Sequence, residues 1–147
     1  MLTLIFLLLD NKISLRLLVN FVRKANHTYE QAETGQEALD AVKATSRDSD
    51  GSVDSIRPFD FVLMDIAMPM MNGIDATKSI RELEQQRSWP HMLIVALTAW
   101  DDAHTRREAA AAGMDIFMPK PVKFLNLRNL LERLAEGKNV TKTWELE

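Results

Sequence analysis

The chain has 147 residues, which is long enough for one domain with a hydrophobic core and short for two. Its 18 basic and 21 acidic side chains give a net charge of -3, which excludes the strongly basic face of a protein that binds nucleic acid or an anionic membrane. The absence of cysteine excludes disulfides and thiolate metal sites, and fits a cytoplasmic protein with access to the nucleus.

The first apolar run, residues 2–9, has the composition of a buried strand. No basic residue precedes it and no small-residue cleavage pattern follows it, so it does not read as a targeting segment. It is also far shorter than the roughly 20 apolar residues that cross a bilayer. We therefore expect a parallel strand and no membrane partner.

The next part of the chain alternates helical and strand patterns. The first helix is predicted to bury one face, made of Ile13, Leu17, Leu18, Phe21 and Val22. A second strand at residues 28–32 leads to Gly35 and a short helix whose inward positions are Ala38, Leu39 and Val42. Residues 45–58 carry turn formers and charge without a period, which predicts an exposed loop insertion.

Three more strands are predicted at residues 59–64, 92–97 and 114–118. Asn72 is the predicted N-cap of the helix between the first two, which buries Ile74, Ile80 and Leu83. An alanine-rich helix follows the fourth strand and ends at Gly113. The last helix has an apolar stripe made of Phe124, Leu127, Leu130, Leu131 and Leu134. We assign residues 1–135 to one domain and residues 136–147 to a tail or linker.

Five strands that alternate with five helices predict an α/β fold with a five-stranded parallel sheet and helices on both faces, a doubly wound, flavodoxin-like (βα)5 arrangement. Ligands of such sheets bind beyond the carboxyl ends of the strands, where the strand order reverses. The polar residues at the strand ends are therefore the candidates for function.

Four such residues are Asp10 after the first strand, Asp65 after the third, Thr98 after the fourth and Lys120 after the fifth. Taken singly, each aspartate would be read as a cap or turn residue. Together they place two carboxylates, a hydroxyl and an ammonium at one edge. Converging carboxylates favour a hard cation such as Mg²⁺, and a metal beside an ammonium suits phosphoryl transfer to a carboxylate.

Several segments in this order resemble the receiver domain of two-component response regulators. They are LMDIAMP around Asp65, the Thr98-Ala99 pair after IVAL, and AAGMDIFMPKP around Lys120. The resemblance runs from about residue 4 to residue 134. The sequence of these segments is most similar to receivers of hybrid histidine kinases, particularly fungal ones.

The resemblance implies a role for each residue. Asp65 would accept a phosphoryl group from a histidine kinase or a histidine phosphotransfer protein. Asp10, Asp65 and the backbone carbonyl of Ala67 would bind Mg²⁺. Thr98 and Lys120 would hold the phosphoryl oxygens. Phe117 would turn inward when Thr98 moves, and would change the surface of the fourth helix and fifth strand, which could also form a homodimer. A receiver catalyses only its own phosphorylation and dephosphorylation.

The sequence departs from this pattern at Leu9, where receivers usually carry an acidic residue. Loss of one nearby charge would weaken Mg²⁺ binding by roughly ten- to a hundredfold at an effective dielectric constant near 20. The alternative is a pseudo-receiver, a binding module that works without phosphorylation. Other classes with this architecture fit less well, because the second aspartate of a dehalogenase-like phosphatase is replaced by Ala67 and no P-loop or flavodoxin loop follows the first strand.

Overall fold

The computed structural model describes residues 4–9, 11–45, 59–66, 72–98, 103–120 and 122–135. Most of the predicted loop insertion (residues 46–58) and the predicted tail (residues 136–147) lie outside the described residues, so these two assignments stay predictions. Within the described ranges, no helix is both long and apolar enough to cross a bilayer.

Strands and helices alternate along the described chain. The elements are β1 (Leu4–Leu8), α1 (Lys12–Lys24), β2 (Thr28–Ala32), α2 (Gly35–Thr45), β3 (Phe61–Asp65), α3 (Gly73–Arg87), β4 (Leu93–Thr98), α4 (Ala103–Ala112), β5 (Ile116–Pro119) and α5 (Phe124–Ala135). Every predicted strand is present, with ends that differ from the prediction by up to two residues. The α/β class and the order of elements are therefore confirmed.

The strands form one parallel sheet in the order β2-β1-β3-β4-β5. From β1 the chain turns outward to β2 on one side, and from β3 it proceeds through β4 to β5 on the other. The winding thus reverses between β1 and β3, and the carboxyl ends of these two strands border the crevice where such sheets bind ligands.

Two hydrophobic clusters cover the two faces of the sheet, because successive side chains of a strand point to opposite sides. The cluster under α2, α3 and α4 includes the strand residues Leu8, Val62, Met64, Ile94, Ala96 and Phe117. The cluster under α1 and α5 includes the strand residues Ile5, Leu7, Leu63, Val95, Leu97 and Met118, together with Leu9 just beyond β1. Burial on both faces explains why β3 and β4 read as continuous apolar runs.

The predicted buried face of α1 is wrong in part. The residues packed on the sheet are Leu15, Leu18 and Val22, whereas Ile13 is 74% exposed and Leu17 is 52% exposed. The predicted stripe of α5 also differs, since Phe124 is 40% exposed while Leu127, Leu130 and Leu131 are buried. Helix α1 carries apolar residues around more than half of its circumference, so docking onto the sheet decides which of them are buried.

The helix ends follow the predicted chemistry. The side chain of Asn72 accepts a hydrogen bond from the backbone N–H of Asp75 at 2.9 Å, which confirms the N-cap of α3. Asn11 caps α1 in the same way, through the N–H groups of Ile13 and Ser14. Gly113 ends α4 with φ of 113°, a conformation that favours glycine.

Candidate functional site

Three of the predicted site residues lie at the carboxyl edge of the sheet. Asp65 is the last residue of β3, Thr98 is the last residue of β4, and Lys120 directly follows β5. Because β3, β4 and β5 are consecutive neighbours in the sheet, their ends lie side by side. The structure therefore brings together residues that are up to 55 positions apart in the chain.

The centre of the site is a direct contact between Asp65 and Lys120. The Nζ atom of Lys120 donates a hydrogen bond to Oδ2 of Asp65 at 2.7 Å. The Asp65 side chain is 3% exposed and that of Lys120 is 32% exposed. A carboxylate this deeply buried keeps its charge only with compensation, which the ammonium supplies.

Backbone hydrogen bonds hold the three strand ends in register. The N–H of Lys120 donates to the carbonyl of Thr98 at 2.7 Å, and the N–H of Ile66 donates to the carbonyl of Leu97 at 3.3 Å. Thr98 is itself 6% exposed. The ladder thus fixes the backbone of Lys120 to the end of β4 and the backbone after Asp65 to the same strand.

Gly73 allows α3 to begin very close to Asp65. Its N–H donates to the carbonyl of Ile66 at 2.8 Å. A Cβ at position 73 would lie 2.6 Å from the carbonyl oxygen of Asp65 and 3.0 Å from Cα of Ile66. Both are backbone atoms, so no side-chain rotation would relieve the overlap, and any larger residue would displace the backbone that carries the carboxylate.

Phe117 lies on β5 beneath α4, on the opposite face of the sheet from α1 and α5. It pairs in register with Ala96 and is 6% exposed. A cavity of about 380 Å³ lies beside it, lined by Phe117, by residues of α4 that include Ala103 and Arg107, and by Met114 in the turn between α4 and β5. The aromatic ring therefore has free space next to it on the side of α4.

A second cavity, of about 300 Å³, adjoins the Asp65–Lys120 pair. Both charged residues line it, together with Leu9 and residues of α1 and α5. Leu9 is 2% exposed, and its hydrocarbon side chain forms one wall of the cavity without offering an oxygen ligand to a metal ion. We call this space the Leu9 cavity below.

The predicted metal ligands Asp10 and Ala67 lie outside the described residues, so the structure does not place them. Among the residues that it does describe, no three Asp, Glu, His or Cys side chains cluster as a metal site. Asp65 is therefore the predicted metal ligand whose position is known.

The sequence pointed to Asp65, Thr98, Phe117 and Lys120 but missed two features of the site. The sequence signal for the close approach of Gly73 to the backbone of Asp65 is the Asn-Gly pair at 72–73. This pair predicts the start of a helix and does not predict the contact. The Leu9 cavity had no local signal at all, because its walls come from segments that are distant in the chain.

Comparison with known proteins agrees with this geometry. Residues 5–132 match the family model described as response regulator receiver domain. Hybrid signal transduction histidine kinase A of Dictyostelium discoideum is 33% identical over 124 residues, which cover 84% of this chain and 5% of that protein. Histidine kinase 5 of Arabidopsis thaliana is 30% identical over 152 aligned residues, covering 88% of this chain and 15% of that protein. The chain thus spans only a small part of these relatives.

Solved structures are similar over nearly the whole chain. The receiver domain of the histidine kinase CKI1 from Arabidopsis thaliana, complexed with Mg²⁺ and BeF₃⁻, has a TM-score of 0.79 at 32% identity and covers 91% of this chain and 90% of that one. A co-crystal structure of the Saccharomyces cerevisiae histidine phosphotransfer protein Ypd1 with the receiver domain of Ssk1 matches with a TM-score of 0.74 at 28% identity. The match covers 92% of this chain and 88% of that chain. With Asp65 and Lys120 paired at the sheet edge, the chain belongs to the response regulator receiver domain family of two-component phosphorelays.

Proposed function

We propose that this chain takes a phosphoryl group from a phosphohistidine onto the carboxylate of Asp65. The contact between Asp65 and Lys120 is the observation that supports this most directly, since a nearly buried carboxylate has an ammonium at 2.7 Å. A nucleophilic carboxylate must stay ionised in its site, and a fixed cation beside it stabilises both that charge and the charge of the phosphoryl group.

In the proposed reaction, one oxygen of Asp65 forms a bond to phosphorus while the bond from phosphorus to the histidine nitrogen breaks. The electron pair of the broken bond stays on the imidazole nitrogen, and an acyl phosphate remains on Asp65. The ammonium of Lys120 would then pair with a phosphoryl oxygen. The hydroxyl of Thr98, at the neighbouring strand end, would donate to another.

Mg²⁺ fits the chemistry of the residues at this edge. It takes oxygen ligands, binds through one or two carboxylates, and completes its shell with water and phosphate oxygens. Asp65 would hold it, with Asp10 and the carbonyl of Ala67 as the further ligands that the receiver pattern implies. When bound, the metal would supply positive charge that offsets the charge of the phosphoryl oxygens. We propose that its affinity is lowered by Leu9, which adds an apolar wall in place of a carboxylate.

The response to phosphorylation is proposed to pass through Thr98 and Phe117. A dianionic phosphate on Asp65 would attract the Thr98 hydroxyl and shift the equilibrium between two arrangements of the Phe117 ring. The space of about 380 Å³ between Phe117 and α4 supports such a movement. The surface of α4 and β5 would then change its affinity for a partner, or for a second copy of this chain.

The proposed partner is a histidine kinase or a histidine phosphotransfer protein. Ssk1, the receiver of the yeast structure, is crystallised with the phosphotransfer protein Ypd1, which supports this partner class. The curated relatives are histidine kinases in which a segment like this chain is a small part. We assign to this chain only its own phosphorylation and dephosphorylation, as the receiver in such a relay.

The test is the intact mass of the chain after incubation with acetyl phosphate, with and without MgCl₂, beside the variant Asp65→Asn. We expect one phosphoryl adduct that requires magnesium and is absent from the variant. A folded sample that gains no adduct even at high magnesium would contradict the proposal. It would favour the pseudo-receiver, which gains no support from the comparisons because the similar proteins are receivers of kinases and response regulators.

A further inference from the structure

A cavity of about 340 Å³ lies at the opposite edge of the sheet from Asp65. It is lined by residues from the end of α1, by the residue before β2 and by residues of α5, namely Phe21, Lys24, Ala25, His27, Arg128, Leu131 and Glu132. His27 directly precedes β2, and all the strands are parallel, so this cavity adjoins the amino end of the sheet whereas Asp65 lies at the carboxyl end. We call it the His27 cavity.

The His27 cavity is net positive in a chain that is net negative. Lys24 and Arg128 contribute two cations and Glu132 one anion, whereas the whole chain carries a net charge of -3. Within the described part of the chain, the side chains of Lys24 and Arg128 form no ion pair. Their charges are therefore available to an anionic ligand, and a cation paired with anionic oxygens makes a short, strong hydrogen bond.

The backbone at the end of α1 fixes the position of His27. The N–H of His27 donates to the carbonyl of Val22 at 3.1 Å, and the N–H of Asn26 donates to the carbonyl of Arg23 at 3.0 Å. Asn26 lies between them with φ of 63°, which completes the Schellman ending of a helix. These bonds also occupy carbonyls of the last turn of α1, which reduces the negative potential that the end of a helix presents to an anion.

His27 also brings a polar atom that lacks a partner. Its Nδ1 is buried and has no hydrogen bond among the described residues. A buried nitrogen without a partner costs free energy, which a bound ligand atom would recover. Burial lowers the pKa of the imidazole below its ordinary value of 6.5, and a bound anion would raise that pKa again. The charged groups that share the cavity with the imidazole are Lys24 of α1 and Arg128 and Glu132 of α5.

The remaining wall of the cavity is apolar. Leu131 is 4% exposed and belongs to the hydrophobic core. The ring of Phe21 stacks on that of Phe124 at a centroid distance of 5.2 Å, which holds it in place. A few polar groups on an apolar wall are the usual composition of a binding pocket, and about 340 Å³ is at the small end of the range. The volume suits a ligand with one ring.

We infer that the His27 cavity binds a small organic acid, whose anionic oxygens contact Lys24, His27 and Arg128 and whose apolar part packs on Phe21 and Leu131. This site is separate from Asp65 and independent of the proposed phosphoryl transfer. The chain thus has a second ligand site, at the edge of the sheet that the phosphoacceptor does not use.

The probe is benzenesulfonate, because it cannot donate a phosphoryl group and its single charge does not titrate between pH 5.5 and pH 7.5. It is added to the ¹⁵N-labelled full chain without magnesium, and the amide shifts are followed by NMR. We expect saturable shifts within residues 21–27 and 128–132, with a dissociation constant of roughly 1 mM at pH 5.5. Methanesulfonate, which lacks the ring, should bind about tenfold more weakly.

Arg128→Gln removes one of the two cations and should weaken the binding of benzenesulfonate about tenfold. Its control is Arg133→Gln, since Arg133 is exposed on the same helix and does not line the cavity, and its affinity should stay within about twofold of the wild type. Glu132→Gln removes the carboxylate that repels the anion and should tighten binding about threefold, an effect that a damaged fold would not produce.

The pH dependence tests the imidazole. The wild-type affinity should rise about threefold or more from pH 7.5 to pH 5.5, because the bound anion favours the protonated form of His27. The affinity of His27→Gln should change by less than about twofold over the same range. A wild-type affinity that does not change with pH would overturn the contact with His27.

Three other results would overturn the inference. They are shifts that do not saturate up to about 50 mM probe, saturable shifts centred on Lys120, and an equal loss of affinity in Arg128→Gln and Arg133→Gln. Equal binding of methanesulfonate and benzenesulfonate would overturn the role of Phe21 and Leu131. None of these results affects the proposed phosphorylation of Asp65, which the acetyl phosphate assay tests separately.

Discussion

Lys120 is the residue whose removal tests the chemistry of the site most directly. Its ammonium lies 2.7 Å from a carboxylate whose side chain is 3% exposed, so urea unfolding is measured beside the rate to separate a loss of chemistry from a loss of stability. In Lys120→Met, we expect the phosphorylation rate with acetyl phosphate to fall on the order of a hundredfold, because a fixed cation beside the developing charge is lost. The measurement is the rate of phosphoryl adduct formation by intact mass.

The matched control is Lys123→Met. Lys123 is exposed and lies three residues further along the chain, between β5 and α5. The Lys123→Met variant should be phosphorylated by acetyl phosphate at the wild-type rate. Equal rates for Lys120→Met and the wild type would show that the ammonium does not take part in the transfer.

His27 gives the free energy of unfolding a dependence on pH. Burial lowers the pKa of the His27 imidazole below its ordinary value of 6.5, and its Nδ1 atom is buried without a hydrogen-bond partner among the described residues. Below pH 6.5 the unfolded chain binds a proton that the folded chain resists, so this group makes the protein less stable as the pH falls through that window. The neutral imidazole, above pH 6.5, carries no such cost.

We expect the variant His27→Gln to lose less stability than the wild type between pH 7.5 and pH 5.5, as measured by urea unfolding at each pH. Asn20→Gln, which changes an exposed residue of α1 that does not titrate, is the control and should keep the wild-type dependence. An identical loss in His27→Gln and the wild type would show that His27 does not contribute.

At the scale of the elements, a network around Arg81 joins three segments of the chain. Arg81 of α3 donates to Glu84 at 2.8 Å, to Asp115 at 2.8 Å, and to the carbonyls of Met92 and Gly113. The same carboxylates accept from backbone N–H groups, Glu84 from Met92 and Asp115 from Ile94. The guanidinium thus ties α3 to the amino ends of β4 and β5, on the edge opposite Asp65.

Arg81→Met would remove the guanidinium from the carboxylates of Glu84 and Asp115, at a site where the Arg81 side chain is only 16% exposed. Asp115 would keep the contact of its other oxygen with Nε2 of His91 at 2.8 Å. We expect a loss of about 3 kcal/mol in the free energy of unfolding, which is the lower end of the range for removing one partner of a buried ion pair. Lys78→Met, an exposed change on the same helix, should cost less than about 0.5 kcal/mol. Urea unfolding measures both, and a loss below about 1 kcal/mol in Arg81→Met would contradict the role of the network.

Magnesium binding should be visible in the stability of the whole molecule, because a ligand that binds only the folded state raises its free energy of unfolding. At ten times its dissociation constant the gain is about 1.4 kcal/mol. We expect Leu9→Asp to need roughly tenfold less Mg²⁺ for the same shift in the thermal unfolding midpoint, since it adds a carboxylate beside Asp65.

Leu9→Asn is the control, because it has a similar size and no charge. Asp65→Asn should lose most of the magnesium-dependent shift. If Leu9→Asp and Leu9→Asn respond to Mg²⁺ alike, the charge at position 9 does not determine the metal affinity of this receiver.

Much of the fold could be predicted because its signals are local. The strands were found at the apolar runs, and the caps at Asn72 and Gly113 follow from backbone chemistry that depends on a few neighbouring residues. The polar residues at the sheet edge could also be predicted, since parallel strands align their carboxyl ends. The exposure of Ile13 and Leu17 could not be predicted, because the helical period shows which apolar residues share a face and not which part of a wide apolar face packs on the sheet.

The sequence by itself determined the order of strands and helices, the parallel sheet, and the placement of Asp65, Thr98 and Lys120 at strand ends. Only the tertiary structure decided which face of α1 is buried, which partners Arg81 binds more than 30 positions away, and that Leu9 becomes the wall of a cavity beside Asp65. The reason is physical. Periodicity and capping depend on residues within a few positions, whereas cavities and long-range ion pairs depend on how distant segments pack together.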